Sequence, residues 1–281
     1  MTYSKPGRII YVDPQDYLDP DRFAPKFYRM ADAFRHLKSG DTVKLYGKID
    51  ESGLRGPKNV VDVIIEGMNT RTRPGKGGDT AMGGAADWST LGESTDPLIT
   101  VVSQGWSFKN IHFGGTIQLS RALDWMESGN HAEFNKCAFS GGKYGIADEG
   151  GCTNIGIYGC QFYGFAKDGS VAIKSTSTSF AWPLWWEIVG NRFLNNYGHI
   201  QLALSNGIVR DNVFFKDSVE PATPNIISVD LELGKNNSVF NNQFACASTD
   251  ANYIENAFIM GPGDAWGPNY CSDKTVFGVP A

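Results

Sequence analysis

Five polar residues in the second half of the chain could form a catalytic or binding face, because the strand-like segments around them would turn their side chains to the same side. Apolar residues recur at positions 200, 202 and 204, and again at 227, 229 and 231, with polar residues between several of them. Successive side chains of a β-strand point to opposite faces, so apolar residues turned inward leave the polar ones outward. The residues of this predicted outward face are Lys174, His199, Gln201, Asp230 and Glu232.

Two kinds of catalysis fit such a face. A carboxylate pair could act as general acid and general base in glycoside hydrolysis. A basic residue together with a cation could instead abstract the proton α to the carboxylate of a uronate, as a polysaccharide lyase requires. The competing interpretation is an alternately charged, solvated sheet face with no catalytic role. The predicted catalytic residues are therefore Lys174, His199, Asp230 and Glu232, and Gln201 is a predicted binding residue.

A second candidate is an aromatic segment at residues 180–186. Trp182, Trp185 and Trp186 are large flat groups that could stack on sugar rings, while Pro183 stiffens the segment. The alternative is that the same indoles pack on the surface of the fold or in a subunit interface. Both interpretations stay open at the level of sequence.

A repeated phrase indicates the elements that position these residues. It appears as Ile111-His112-Phe113, Cys137-Ala138-Phe139, Cys160-Gln161-Phe162, Asn191-Arg192-Phe193, Asn212-Val213-Phe214 and Asn242-Gln243-Phe244. Successive Phe residues are separated by 26, 23, 31, 21 and 30 positions. Self-similarity at such intervals is typical of a solenoid, in which each repeat buries its apolar face by stacking on its neighbours.

The segments between the phrases identify the type of solenoid. They are short period-two runs separated by Asn and Gly, without a sustained helical period, which predicts several short strands per repeat. The fold is therefore predicted to be a parallel β-helix. Stacked coils lie about 4.7–4.9 Å apart. At that spacing Asn191, Asn212 and Asn242 should form a hydrogen-bonded structural ladder, with Cys137 and Cys160 as small apolar fillers of the preceding rungs.

The chain resembles the pectate-lyase-like superfamily, both in these repeats and near its N-terminus. The N-terminal pattern is Met30-Ala31-Asp32-Ala33-Phe34, then Ser39-Gly40-Asp41-Thr42-Val43-Lys44-Leu45-Tyr46-Gly47, then a strand ending at Gly67. The resemblance covers residues 28–262 and implies a right-handed parallel β-helix. It fixes no activity, because the superfamily holds lyases, hydrolases, epimerases, adhesins and phage tailspikes. The enzyme motifs are incomplete here: Gly198-His199-Ile200 replaces a hydrolase-like Gly-His-Gly, and a lyase-like Trp-x-Asp-His is absent.

The predicted organisation is one all-β domain over residues 1–281. Residues 1–40 hold a strand and an amphipathic helix, expected at 25–38, that caps the open end of the β-helix. Residues 41–262 hold the coils, interrupted by excursions at 69–97 and 175–186. Residues 263–281 are predicted to leave the repeat and cover the C-terminal end. Segments at 123–127, 144–148, 171–174, 200–204, 227–233 and 257–260 are expected to stack as one sheet.

Composition bounds the partners and the location. The net charge of −5 and the pI near 5.4 argue against nucleic acid as a partner. No apolar run is long enough to cross a bilayer, so no membrane is expected. The sequence has no recognisable export signal, and its five cysteines show no metal-binding spacing. Free thiols predict synthesis in a reducing cytoplasm. A final location in a virion or outside the cell is expected from the resemblance.

These observations predict a non-catalytic phage virion or appendage protein used in decoration, in a tail or in surface-glycan binding. Its predicted partners are its own copies, with a trimer favoured, or other virion proteins, and a polysaccharide is possible. The alternative is a polysaccharide lyase or glycoside hydrolase that acts on an acidic polysaccharide through the face from Lys174 to Glu232. No metal and no cofactor are predicted, except that a lyase could use Ca²⁺.

Overall fold

The computed structural model describes residues 7–15, 24–68, 86–90, 96–120, 128–167, 169–175, 183–216, 229–246, 258–271 and 276–277. Within these ranges the chain is nearly all β-strand and contains one short helix. The strands form three sheets of 11, 10 and 8 strands, and neighbouring strands are parallel except for one antiparallel pair at the C-terminal end. The chain passes through the three sheets in turn on each coil. The protein is a parallel β-helix, as the sequence predicted.

The sheets are named A, B and C. Sheet A contains, in spatial order, Lys26–Phe27, Ile9–Val12, Thr42–Leu45, Ile64–Gly67, Ser107–Lys109, Glu133–Asn135, Gly156–Tyr158, Glu187–Val189, Ile208–Arg210, Ser238–Phe240 and Ala265–Trp266. Sheet B contains Gly47–Asp50, Ala86–Ser89, Ile111–Gly114, Ala138–Ser140, Gln161–Tyr163, Arg192–Leu194, Val213–Lys216, Gln243–Cys246, Asn269–Cys271 and Val276–Phe277. Sheet C contains Leu54–Arg55, Ile99–Val101, Ile117–Leu119, Tyr144–Asp148, Val171–Ser175, Gly198–Gln201, Val229–Asp230 and Phe258–Ile259.

The N-terminal helix runs from Met30 to His36, which is shorter than the sequence predicted. Its buried residues include Met30 and Phe34, and the Phe34 ring meets the indole of Trp106 edge-on at 5.7 Å between centroids. The Glu51 carboxylate accepts hydrogen bonds from the backbone N–H groups of Met30 and Ala31, at 2.6 and 3.1 Å. These bonds satisfy donors that the first turn of a helix leaves free. The helix is thus fixed against the first coils.

Stacked phenylalanines fill the interior beside sheet B. The rings of Phe113, Phe139, Phe162, Phe193, Phe214 and Phe244 lie one above another, with successive centroids 5.2, 4.7, 4.9, 4.8 and 4.9 Å apart. All six side chains are buried. Each ring therefore covers its neighbours in the coils above and below, which explains why the sequence has Phe at this point of six successive coils.

A ladder of asparagines lines the corner between sheets A and B. The backbone N–H and Nδ2 of Asn191 both donate to Oδ1 of Asn212, at 2.9 and 3.0 Å. Asn212 donates in the same way to Asn242, at 3.0 Å for both bonds, and Asn242 donates to Asn269 at 3.0 and 2.9 Å. The ladder therefore continues one rung beyond the repeat seen in the sequence.

Two cysteines occupy the preceding rungs of this corner. The N–H of Cys160 donates to Oδ1 of Asn191 at 2.7 Å, and the N–H of Cys137 donates to Sγ of Cys160 at 3.4 Å. Both side chains are buried. Burial, and then the interaction with the Cys137 side chain, raise the pKa of the Cys160 thiol well above its usual value, although the backbone N–H of Cys137 lowers it in part. This thiol therefore stays protonated.

The structure corrects three predicted boundaries. Ala86–Ser89 belongs to sheet B, so the chain returns to the coils within the excursion expected at 69–97. In sheet C the strand next to Tyr144–Asp148 is Ile117–Leu119, whereas the predicted segment 123–127 lies outside the described residues. Ala265–Trp266 and Asn269–Cys271 pair with the preceding coil, so the repeat does not end at residue 262.

Candidate functional site

The outer face of sheet C brings together three of the residues predicted to form a site. Lys174 is in register with Gln201, and Gln201 is in register with Asp230, so the three side chains occupy consecutive rungs of one column. Nε2 of Gln201 donates to Oδ2 of Asp230 at 3.3 Å. This column presents an ammonium group, an amide and a carboxylate in a line along the helix axis.

His199 does not belong to this face, and the prediction that it points outward is wrong. Its side chain is buried, with ring centroids 5.8 Å from Phe193 and 5.6 Å from Phe214, and Nδ1 lies 3.1 Å from Nδ2 of Asn196. It is in register with small residues, Gly145 and Ala172, because the pairs on either side fix that alignment. His199 and Ile200 are both buried although they are consecutive, so strict alternation fails, and His199 fills interior space beside the phenylalanine stack.

Glu232 lies in a turn rather than on the sheet. The turn closes through the N–H of Gly234, which donates to the carbonyl of Leu231 at 2.8 Å. The Glu232 side chain is exposed, and its backbone N–H donates to Oδ1 of Asp230 at 3.1 Å. One oxygen of Asp230 thus holds the turn while the other accepts from Gln201.

Two ammonium groups lie near the ring of Tyr144, the first residue of the strand Tyr144–Asp148 in sheet C. Nζ of Lys143 and Nζ of Lys174 lie 5.4 and 5.5 Å from the ring centroid of Tyr144. Both distances are within the range in which a cation is attracted to the ring quadrupole. Neither lysine has a carboxylate partner in the described part of the chain. Two positive charges near one ring, without a carboxylate partner in the described residues, would attract an anion.

Trp186 is part of the core, so its predicted place in a carbohydrate site or interface is wrong. Its side chain is fully buried, and Nε1 donates to the carbonyl of Cys152 at 2.8 Å. Trp106 occupies the same position before another strand of sheet A, is also buried, and donates to the carbonyl of Val60 at 2.8 Å. Trp182 lies outside the described residues.

Trp185 is the exposed aromatic residue of this segment. Its side chain is 53% exposed, and its backbone has a φ of 57°. The equivalent corner positions of neighbouring coils also have positive φ and hold Asn154, Asn206 and Asn236. A left-handed conformation costs a residue with a Cβ roughly 1–2 kcal/mol, a cost that Asn relieves by local hydrogen bonding. Trp185 thus combines an unfavourable backbone conformation with an exposed indole.

Sheet A carries a further polar group on its outer face. The hydroxyl of Tyr158 donates to Oε2 of Glu187 at 2.9 Å. Partial burial, then the hydrogen bond and the negative charge of Glu187, raise the pKa of Tyr158 to about 12. A smaller contribution comes from Glu133, while Arg210 acts in the opposite direction. With so high a pKa the phenol is neutral near pH 7 and serves as a hydrogen-bond donor, not as a base.

Asp148 is a buried carboxylate at the C-terminal end of the strand Tyr144–Asp148 in sheet C. It accepts hydrogen bonds from the N–H groups of Gly151 and Cys152, at 3.1 and 2.9 Å. Burial raises its pKa, and these backbone bonds lower it in part. The hydroxyl of Ser175, in the neighbouring strand, donates to Oδ2 at 3.5 Å. The carboxylate thus holds the turn that follows its own strand and contacts the next coil.

Sequence reasoning did not single out Asp87, His112, Ser140 and Tyr163, which lie on the outer face of sheet B and are hydrogen-bonded to one another. Each lies directly before or after the buried aromatic residue of its coil. Alignment of the repeat on those aromatic residues would have placed the four side chains on one face. The signal was hidden at Asp87, since its coil has Trp88 in place of Phe and lies inside the expected excursion.

No group of three His, Cys, Asp or Glu residues that could hold a metal ion occurs within the described ranges. No helix in the described part of the chain is long enough to span a membrane.

Comparisons with known proteins extend only to the fold. No protein-family model and no curated protein matches the chain. The structure is similar to that of the PL6 family alginate lyase AlyGC, with 12% sequence identity and a TM-score of 0.46 over 94% of this chain and 38% of that one. A mutant of the same enzyme gives 12% identity and a TM-score of 0.44 over 88% and 37%. The chain thus spans less than two fifths of these neighbours. The similarity concerns the parallel β-helix fold alone.

Proposed function

We propose that this protein binds an acidic polysaccharide along the outer face of sheet C. The observation that carries the proposal is the pair of ammonium groups, Lys143 and Lys174, on the ring of Tyr144 with no carboxylate partner in the described residues. Carboxylates of the polymer would neutralise these charges. Gln201 and Asp230 continue the column and offer hydrogen-bonding groups to the hydroxyls of the next sugars.

Binding, rather than cleavage, is the function that this face supports. A proton-abstracting centre needs a base held next to its target. His199 lies in the interior, so it cannot serve as that base, and Lys174 and Asp230 are two rungs apart, about 9–10 Å at the usual strand spacing. Lys174, Gln201 and Asp230 instead form a row of polar groups separated by the distance between neighbouring strands. Such a row suits an extended polymer.

The test is the affinity of the whole protein for soluble polygalacturonate and alginate, measured by affinity electrophoresis at low and high salt. Lys174→Ala and Lys143→Ala should each weaken binding about tenfold, or ~1.4 kcal/mol. Lys109→Ala, on the outer face of sheet A, is the charge-matched control and should leave binding unchanged. Binding should weaken as salt is raised. Equal affinities of wild type and Lys174→Ala would refute the proposal.

Trp185 gives a second arm to this test. Trp185→Asn places at this corner the residue found in the neighbouring coils. If the polymer extends over the corner, this variant should bind more weakly and yet unfold at a higher temperature, because the strained backbone is relieved. Release of unsaturated uronate products in the same samples would instead indicate the lyase that the sequence offers as the alternative.

A place on a phage particle or other appendage stays a prediction from the sequence. The binding proposal does not depend on it, because a decoration protein, a tail protein and a secreted protein could all use the same face. The Ca²⁺ considered for a lyase likewise stays a prediction.

A further inference from the structure

Three side chains on the outer face of sheet B have the arrangement of a serine nucleophile with its base. They come from neighbouring strands: Asp87 from Ala86–Ser89, His112 from Ile111–Gly114 and Ser140 from Ala138–Ser140. Nδ1 of His112 lies 3.1 Å from Oδ1 of Asp87, and Nε2 of His112 lies 2.7 Å from Oγ of Ser140. We propose that Ser140, His112 and Asp87 form a nucleophilic site that hydrolyses a carboxylic ester.

The carboxylate of Asp87 sets the tautomer of His112. A carboxylate can only accept, so the proton of the neutral imidazole lies on Nδ1 and is donated to Oδ1 of Asp87. Nε2 then carries the lone pair and accepts the hydroxyl proton of Ser140. This is the tautomer that a general base needs next to a serine nucleophile, and the third group orients the base.

Tyr163, two coils beyond His112, holds the imidazole. Its ring stacks on that of His112 with centroids 6.1 Å apart and an angle of 19° between the planes, and its hydroxyl lies 3.2 Å from Nε2. Because the Ser140 hydroxyl is nearer to Nε2, at 2.7 Å, Tyr163 is a positioning residue that fixes the plane of the ring.

The site is reachable from solvent. The His112 side chain is 25% exposed and that of Asp87 is 14% exposed, while Ser140 is half-buried. Gly114 stands between Ser89 and Ser140 in their column, and a Cβ there would lie 2.7 Å from the Cβ of Ser89. The missing side chain leaves the face open beside the Ser140 hydroxyl. An open face suits an ester on a polymer.

Donors for a developing oxyanion follow the nucleophile directly. Gly141 and Gly142 have φ values of 68° and 74°, in the left-handed region that glycine adopts without strain. Neither N–H donates a hydrogen bond to any atom of the described residues. In other serine hydrolases the N–H after the nucleophile contributes to the oxyanion hole, and these two N–H groups are available for that purpose.

The reaction consumes one water and needs no other reactant. Oγ of Ser140 attacks the ester carbonyl carbon while its proton passes to Nε2 of His112. The carbon–oxygen bond to the alcohol then breaks, and the imidazolium returns the proton to the departing alkoxide, leaving an acyl group on Ser140. Water attacks this acyl group, gives a proton to His112, and releases the carboxylic acid as the proton returns to Oγ.

The neighbouring lysines indicate the class of ester. Ser140 is followed by Gly141 and Gly142 and then by Lys143 and Tyr144, so the nucleophile and the anion site flank one turn. Four residues of extended chain span at most about 14 Å. The substrate class is therefore an O-acylated acidic polysaccharide. This choice of substrate rests on the function proposed for sheet C, whereas the nucleophile does not.

The first experiment tests the nucleophile alone. The whole protein is treated with a fluorophosphonate, and the adduct is located by peptide mass spectrometry. We expect the label on Ser140, no label in Ser140→Ala, and at least about 100-fold slower labelling in His112→Ala. Ser89→Ala, in the same column, should label like wild type. Thermal melting checks that each variant is folded. A wild-type protein without label on Ser140 overturns the proposal, whatever the variants do.

The second experiment tests the substrate class. Acetate release is measured from an O-acetylated acidic polysaccharide and from an O-acetylated neutral one. We expect faster release from the acidic polymer, and Lys174→Ala should remove that preference. Ser140 labelling with no preference for the acidic polymer would overturn the substrate class and count against the sheet C site. Polymer binding without Ser140 labelling would uphold that site and overturn the esterase.

Discussion

Tyr158 and Glu187 meet on the outer face of sheet A because the residue between them has no side chain. Gly156 is in register with Glu187, and a Cβ on Gly156 would lie 2.3 Å from Cε2 of the Tyr158 ring. The ring therefore lies across the glycine and places its hydroxyl 2.9 Å from the Glu187 carboxylate. The absence of one side chain thus determines the chemistry of a neighbouring one.

This contact makes a prediction about pH. Glu187→Gln removes the negative charge but keeps an oxygen that can accept the hydrogen bond, so the pKa of Tyr158 should fall from about 12 towards its usual value of 10. The measurement is NMR titration of ¹³C-labelled tyrosine, with Tyr158→Phe identifying the signal. A Tyr158 signal that titrates identically in wild type and Glu187→Gln would contradict it.

The same pKa shift has a defined effect on stability. The folded state holds the Tyr158 proton more tightly than the unfolded state does. The stabilisation is therefore fully present below about pH 10, the unfolded pKa, and is lost as the pH rises through the folded value. In that window wild type should lose stability relative to Tyr158→Phe.

Single residues were also where sequence reasoning failed, for two physical reasons. Alternation predicts that every second side chain of a strand points inward, but His199 and Ile200 are consecutive and both buried. Trp186 was grouped with its aromatic neighbours, although it occupies the inward position that Trp106 has in an earlier coil. Comparison between coils would have placed Trp186. Nothing local in the sequence marks the loss of alternation at His199.

At the scale of elements, the asparagine ladder should contribute strongly to stability. Oδ1 of Asn212 accepts two hydrogen bonds from Asn191, and its Nδ2 donates to the carbonyl of Ile188 at 2.8 Å. Asn212→Ala leaves buried donors and an acceptor without a partner, each costing about 1–3 kcal/mol. We expect a loss of about 3 kcal/mol or more in the free energy of unfolding, measured by chemical denaturation.

The matched control for the ladder is Gln243→Ala. Gln243 lies directly after the ladder residue Asn242, but its side chain is exposed on the outer face of sheet B. A surface substitution of this kind should change the free energy of unfolding by no more than about 0.5 kcal/mol. If Asn212→Ala were no more costly than Gln243→Ala, the ladder would be an accessory to the phenylalanine stack and not a support of the fold.

The coils themselves were predictable because their signal repeats. Phe and Asn recur at a fixed point of each coil, so every copy strengthens the assignment of the others. The elements that were missed carry altered copies. Ala86–Ser89 has Trp in place of Phe, and the last coil keeps Asn269 without a Phe two residues later. An isolated altered copy gives too weak a signal beside long polar segments.

At the scale of the whole molecule, association with other copies stays a prediction from the sequence. Several large apolar side chains are exposed towards the C-terminal end, among them Leu233, Met260 and Tyr270. A trimer would give a mass near three times the 30.7 kDa of the chain. Light scattering of the native protein measures this directly. A mass of one chain at all concentrations would contradict the predicted trimer and show that those side chains stay in solvent.

The uniform ladder also makes the length of this molecule adjustable in whole units. Asn191 and Asn212 are equivalent, and so are Phe193 and Phe214, which are 21 residues apart. Deleting residues 192–212 would join Asn191 to Val213 and keep the asparagine ladder and the phenylalanine stack continuous. In sheet C the same excision would bring Asp230 next to Lys174. The β-helix could thus be shortened by one complete coil without interrupting the rows of side chains that stack from coil to coil.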